Sequence, residues 1–133
     1  MAKIPILIID DSKSHLKLEK LALAEDTYDI RTASNADEAM EVLAEFQPCL
    51  ILMDIQLPGI DGLELTRRLK ANPKYHDIII VAITAYGMTK DKETALNAGC
   101  DGYLSKPIDI ETFPHIIANF ITHAKENKTK VYR

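Results

Sequence analysis

Two short runs of uninterrupted apolar residues, Ile6-Leu7-Ile8-Ile9 and Leu50-Ile51-Leu52-Met53, each end in acid, with Asp10-Asp11 after the first and Asp54 after the second. A strand with one solvated face alternates apolar with polar residues, so unbroken runs of this length read as strands buried on both faces, in the middle of a parallel sheet. Carboxylates closing two such strands arrive at one sheet edge. Three acids crowded there repel one another, and their company implies a bound cation, a shared proton, or both.

Strand-length apolar runs alternate with stretches of helical period five times, which is a repeated βα pattern. Strands are expected at Ile4 to Ile9, Tyr28 to Ala33, Leu50 to Met53, Ile78 to Ile83 and Gly102 to Leu104, the second and fifth being polar enough for edges. Before the third strand, Ala36, Ala39, Met40, Leu43 and Ala44 form an apolar stripe, and Ser34 with Asp37 has capping-box spacing. Asp61 with Glu64 repeats that spacing before a helix bearing Leu65 and Leu69, and Thr89 is the expected cap of a helix stopping at Ala98-Gly99. Phe113, Ile116, Ile117, Phe120, Ile121 and Ala124 give the last helix its core face, with Pro114 placing the regular start near Glu111 or Thr112.

Right-handed crossovers turn five such units into an open parallel sheet with helices on both faces, a three-layer α/β sandwich. In the flavodoxin-like order 2-1-3-4-5, the ends of the first and third strands are neighbours at the point where the winding reverses, and ligands bind there. Asp10, Asp11 and Asp54 would then share one site. At 133 residues the chain fits one domain, expected over 3–125, with a polar tail over 126–133. The net charge of -4, without a basic face, argues against nucleic acid and anionic membranes as partners. The N-terminus lacks a secretory h-region and no segment has bilayer-spanning length, so a cytoplasmic protein is expected. Cys49 and Cys100 lack metal-ligand spacing and read as buried, reduced thiols, while His15, His76, His115 and His123 read as surface polar residues.

The fourth strand ends in Thr84 and the fifth runs into Lys106-Pro107, so four strand ends carry functional groups. Carboxylates, a hydroxyl and an ammonium suit phosphoryl transfer, in which negative charge spreads over the equatorial oxygens. Asp54 is the expected nucleophile, giving an acyl phosphate. Asp11, Asp54 and the main-chain carbonyl of Gln56 are the expected cation ligands, with Asp10 reaching the ion through water. Mg2+ fits an all-oxygen set that keeps several waters, and Mn2+ is its natural substitute. Lys106 would pair with a phosphoryl oxygen, and Thr84 and the amide of Ala85 would donate to others.

Ile-Asp-Asp at 9–11, Met-Asp-Ile-Gln-Leu-Pro-Gly-Ile-Asp-Gly at 53–62, Ile-Thr-Ala at 83–85 and Lys-Pro at 106–107 together resemble the receiver domain of two-component response regulators. The wording is most like single-domain cell-division regulators and receivers of hybrid kinases. The resemblance implies phosphorylation of Asp54 by a phosphohistidine on a sensor histidine kinase or histidine phosphotransfer protein, dependence on Mg2+, and slow self-hydrolysis rather than enzymatic turnover. It further implies that Thr84 and Tyr103 report the event, reshaping the face of helix four, strand five and helix five for a downstream protein, and that the Lys106-Pro107 bond is cis. Gln56 and Tyr86 stand where family members vary, beside the route of attacking water, and are the expected tuners of phosphoryl lifetime.

Three other readings compete. A haloacid-dehalogenase-type phosphatase needs a second acid two residues after the nucleophile, where this chain has Gln56. A flavodoxin needs a hydroxyl- and glycine-rich phosphate loop in place of Asp10-Asp11-Ser12-Lys13-Ser14. A receiver module cut from a hybrid kinase or multidomain regulator has the same chemistry in another setting.

Overall fold

The computed structural model describes residues 3–24, 26–55, 62–84, 89–105 and 109–126, with side chains at 84, 89–92 and 123–126 outside that description. Ten elements alternate along the chain: β1 (Ile4–Ile9), α1 (Lys13–Ala22), β2 (Tyr28–Ala33), α2 (Ala36–Glu45), β3 (Leu50–Asp54), α3 (Gly62–Ala71), β4 (Ile79–Thr84), α4 (Thr89–Asn97), β5 (Gly102–Ser105) and α5 (Phe113–Glu126). The strands form one parallel sheet in the order β2-β1-β3-β4-β5, the flavodoxin-like arrangement expected. The third and fifth strands run one residue further than expected, and the fourth is displaced by one. The polar strands β2 and β5 form the edges.

Alternation along the central strands divides the interior in two. Leu7, Ile9, Ile51, Met53, Ile80 and Ala82 meet the apolar faces of α2 and α3 and Ala95 of α4 on one side. On the other, Ile6, Ile8, Leu50, Leu52, Val81 and Ile83 meet Phe113, Ile117 and Ile121 of α5, with Leu16 of α1 packed against them. Burial of each large aliphatic side chain contributes about 1.5–3 kcal/mol, and this makes the three middle strands a rigid mount for whatever stands at their ends. Among the described residues, no helix is long and apolar enough to cross a membrane.

Local details correct several sequence expectations. The N-cap of α2 is Asn35, whose side chain accepts the Glu38 N–H at 2.8 Å, not Ser34 paired with Asp37. Glu38, three residues after that cap, reaches back to accept from the N–H and hydroxyl of Ser34, at 2.8 and 2.7 Å. On the same helix Ala36, Ala39 and Leu43 are buried, whereas Met40 and Ala44 face solvent. The helix lies against the sheet along a narrower stripe than its sequence offers, and Val42 packs from the flank.

Two termini follow from backbone chemistry. After α4, Gly99 takes φ +110°, its N–H donates to Leu96 O at 3.1 Å and that of Cys100 to Ala95 O at 3.1 Å, the paired bonds of a glycine-terminated helix. At α5, Phe113 N–H bonds Asp109 O at 2.9 Å, but Pro114 has no N–H to continue the ladder, so the regular helix starts at Phe113, later than Glu111 or Thr112. Thr89 is the first residue of α4 rather than the residue before it. Asp61, the expected cap of α3, lies outside the described residues.

Candidate functional site

Strand register assembles the acids. Ile9 pairs with Met53 as the last β1–β3 rung, so Asp10 and Asp54 stand one residue beyond or at the end of adjacent strands. Asp10 N–H donates to Ala33 O at 3.0 Å, extending the β1–β2 ladder past the strand end and fixing where this residue sits. Asp54 pairs in register with Ile83, which puts the Thr84 backbone on the same edge one rung on. Thr84 in turn pairs with Ser105, the last residue before Lys106. The backbone thus brings the ends of β1, β3, β4 and β5 to a common edge.

Asp10, Asp11 and Asp54 each offer a carboxylate oxygen, and these oxygens all lie within 4.8 Å of one another. Asp10 is fully covered, Asp54 nearly so, and Asp11 exposed, so the cluster opens to solvent on the Asp11 side. At 4.8 Å, two ionised carboxylates repel by about 3 kcal/mol at an effective dielectric constant near 20. Two buried acids plus a third at the mouth form an all-oxygen donor set open on one side, which fits a hard divalent cation that keeps waters in its shell.

Neighbouring groups stand around the Asp10 carboxylate. Oδ1 of Asp10 accepts the Ser12 N–H at 2.9 Å, and Oδ2 lies 3.7 Å from Nδ1 of His15. Ser12 is the N-cap of α1, its hydroxyl accepting the His15 N–H at 3.3 Å. Sequence reasoning left His15 among the surface histidines. The signal was there: a serine cap at 12 puts position 15 in the first turn of a helix that starts at the acidic edge.

Gly62 is the second residue whose part was not read from the sequence. A Cβ at this position would lie 2.4 Å from Asp54 O and 2.7 Å from Ile55 Cα, so α3 can begin against the peptide that carries Asp54 only because no side chain intervenes. Gly62 N–H bonds Ile55 O at 3.1 Å, and the buried Thr66 hydroxyl donates to Gly62 O at 2.8 Å.

Thr84 closes β4, but its side chain, like all of Gln56, Ala85, Tyr86, Lys106 and Pro107, lies outside the described residues. Tyr103 pairs with Ala82 and is half-buried. Neither cysteine is in a disulfide. Cys100 is buried, and burial pushes its thiol up to about 11, while Cys49 is only partly covered, short of the full burial expected.

The sequence model for the response regulator receiver domain matches residues 6–118. A protein of Brucella ovis named polar-differentiation response regulator DivK is 38% identical over 120 residues, covering 90% of this chain and 97% of that protein. The protein of the same name from Brucella anthropi is 35% identical over 119 residues, with the same coverage of 90% and 97%. Among solved structures, a CheY-like response regulator receiver domain protein from Methanospirillum hungatei superposes with a TM-score of 0.84 at 25% identity, covering 95% of this chain and 99% of that one.

Proposed function

The chain belongs to the response regulator receiver domain family, and from that membership we propose that Asp54 is the residue at which this phospho-accepting switch of two-component signalling takes its phosphoryl group. The observation that carries the reading is the meeting of Asp54 with Asp10 and Asp11 at the end of a fully buried strand. An Asp54 carboxylate oxygen attacks phosphorus of a phosphohistidine; the new O–P bond forms as the P–N bond breaks, and the departing imidazole nitrogen takes up a proton. The donor is a sensor histidine kinase or a histidine phosphotransfer protein.

Asp11, Asp54 and the Gln56 carbonyl would hold Mg2+, and Asp10 would reach it through water. When bound, the ion offsets the negative charge of the carboxylates and of the incoming phosphoryl oxygens. Lys106, the Thr84 hydroxyl and the Ala85 amide receive the remaining phosphoryl oxygens. Burial of the middle strands keeps the nucleophile from drifting, so much of the orientation needed for attack exists before a donor arrives. Gln56 and Tyr86 flank the path of hydrolytic water and set how long the modification lasts.

The new dianion biases a two-state element, in which Thr84 moves toward the phosphoryl group and Tyr103, half-buried here, turns inward. The altered surface of α4, β5 and α5 is read by a protein, not by nucleic acid, and the output is contact, not catalytic turnover. We read the domain as residues 3–125, acting in the cytoplasm. The name shared by the Brucella relatives points to control of cell polarity or division as the setting. Incubation with Mg2+ and a phosphorylated kinase, or a small phosphodonor, adds one phosphoryl group by mass; Asp54→Asn abolishes it, and an unchanged addition in that variant rejects the site.

A further inference from the structure

The first turn of α1 bonds Asp10 with one group and sets a second beside it. The Ser12 N–H holds Oδ1 at 2.9 Å, and Nδ1 of His15 stands 3.7 Å from Oδ2. The backbone of His15 is itself anchored, since its main-chain N–H donates to the Ser12 hydroxyl at 3.3 Å. The imidazole lies at the rim, 44% exposed, over a carboxylate that is 1% exposed. We propose that His15 is a positioning residue for the cation site, its Nδ1 steadying Oδ2 of Asp10 so that this carboxylate stays turned toward the ion shared with Asp11 and Asp54.

The terminal torsion of an aspartate is broad, so one hydrogen bond to Oδ1 fixes a point but not the plane of the group. Repulsion from two neighbouring acids would turn the carboxylate away from them, and a nitrogen beside Oδ2 opposes that turn. The separation of 3.7 Å exceeds hydrogen-bond length, so a bond requires the ring or the carboxylate to turn. Groups bonded directly to a metal's ligands typically change affinity by about 10–100-fold when removed, so this looser contact, to a carboxylate acting through water, is expected to be worth about three- to tenfold.

The inference rests on the cation reading above, and the experiment separates the two. Mg2+ is titrated into wild type, His15→Leu, His15→Asn and His15→Gln, followed by backbone amide shifts. An asparagine amide nitrogen falls near the position of Nδ1, whereas a glutamine amide falls near Nε2. Leu and Gln variants are expected to bind Mg2+ about three- to tenfold more weakly, and the Asn variant close to wild type. Helix weakening cannot mimic that order, because asparagine is a poorer helix former than leucine or glutamine. Should the Leu variant fail to fold, the Asn and Gln pair decides alone. Equal or tighter binding by the Leu and Gln variants overturns the role of His15 while leaving the cation site standing. Absence of Mg2+ binding by wild type overturns the cation reading and this inference with it.

Discussion

Gly62→Ala would normally strengthen a helix, and here it should do the opposite. The added methyl would sit 2.4 Å from Asp54 O, 2.7 Å from Ile55 Cα and 3.1 Å from Asp54 C, whereas ordinary contact begins near 3.4 Å. All three neighbours are backbone, so no rotamer change relieves the clash, and α3 must withdraw from the Asp54–Ile55 peptide by about 1 Å. Overpacking of this kind costs about 1–3 kcal/mol, with the backbone contact favouring the upper half, while the helical preference for alanine over glycine returns about 0.5–1 kcal/mol. The expected net is about 1–2 kcal/mol of lost stability, or a Tm lower by roughly 4–8 °C for a chain of this size. Because the withdrawal moves the peptide of Asp54, the proposed nucleophile, phosphoryl addition from a small donor should slow by roughly tenfold or more, toward the hundredfold that a ~1 Å misplacement can cost. Urea denaturation and a mass-resolved time course of phosphorylation check both. A variant as stable as wild type and phosphorylated at the same rate would refute the claim that α3 rests on that peptide.

Three other outcomes follow from the same geometry. In chelator at pH 7, Asp54→Asn relieves repulsion and should raise unfolding free energy by about 1–2 kcal/mol, below the ~3 kcal/mol of the unrelaxed Asp10–Asp54 pair; Mg2+ should close the gap by stabilising wild type, by about 1.4 kcal/mol at ten times its Kd. Gly102→Ala would set a methyl 2.2 Å from Phe120 Cζ and should cost about 1–3 kcal/mol in urea melts, largely recovered by adding Phe120→Leu. Bonds from the Ser34 N–H and hydroxyl hold the Glu38 carboxyl below its ordinary range, so whatever this group adds to stability is present above that range and is lost as pH falls through the lowered value. Ser34→Ala should shift the Glu38 titration, followed by side-chain NMR, upward.

Strand identity was legible because burial on both faces leaves a sign in composition: unbroken runs such as Leu50–Met53 tolerate no polar residue. The order of strands was not contained in any run and came from resemblance, since a parallel sheet's neighbours are set by which helix faces fit together. Helix faces were legible only coarsely. Met40 fits the helical period as well as Leu43 does, and only packing against the sheet separates the covered residue from the exposed one. Asn35 and Ser34 are both competent caps, and it is Asn35 that has a glutamate three residues on, whose carboxylate takes the Ser34 N–H and hydroxyl. The acids of the site were legible because each ends a strand. His15 was passed over although the Ser12 cap placed it in the first turn beside that edge, and Gly62 was not legible because its part lies in lacking atoms.

The sheet divides the interior into two compartments that share backbone but no side chains. Trimming Ile117 and trimming Leu65 should therefore weaken the protein independently, whereas paired losses within one compartment should show non-additive coupling. Such a partition lets one flank accumulate substitutions suited to a new associate while the opposite flank keeps the fold intact, with the acidic rim held between them.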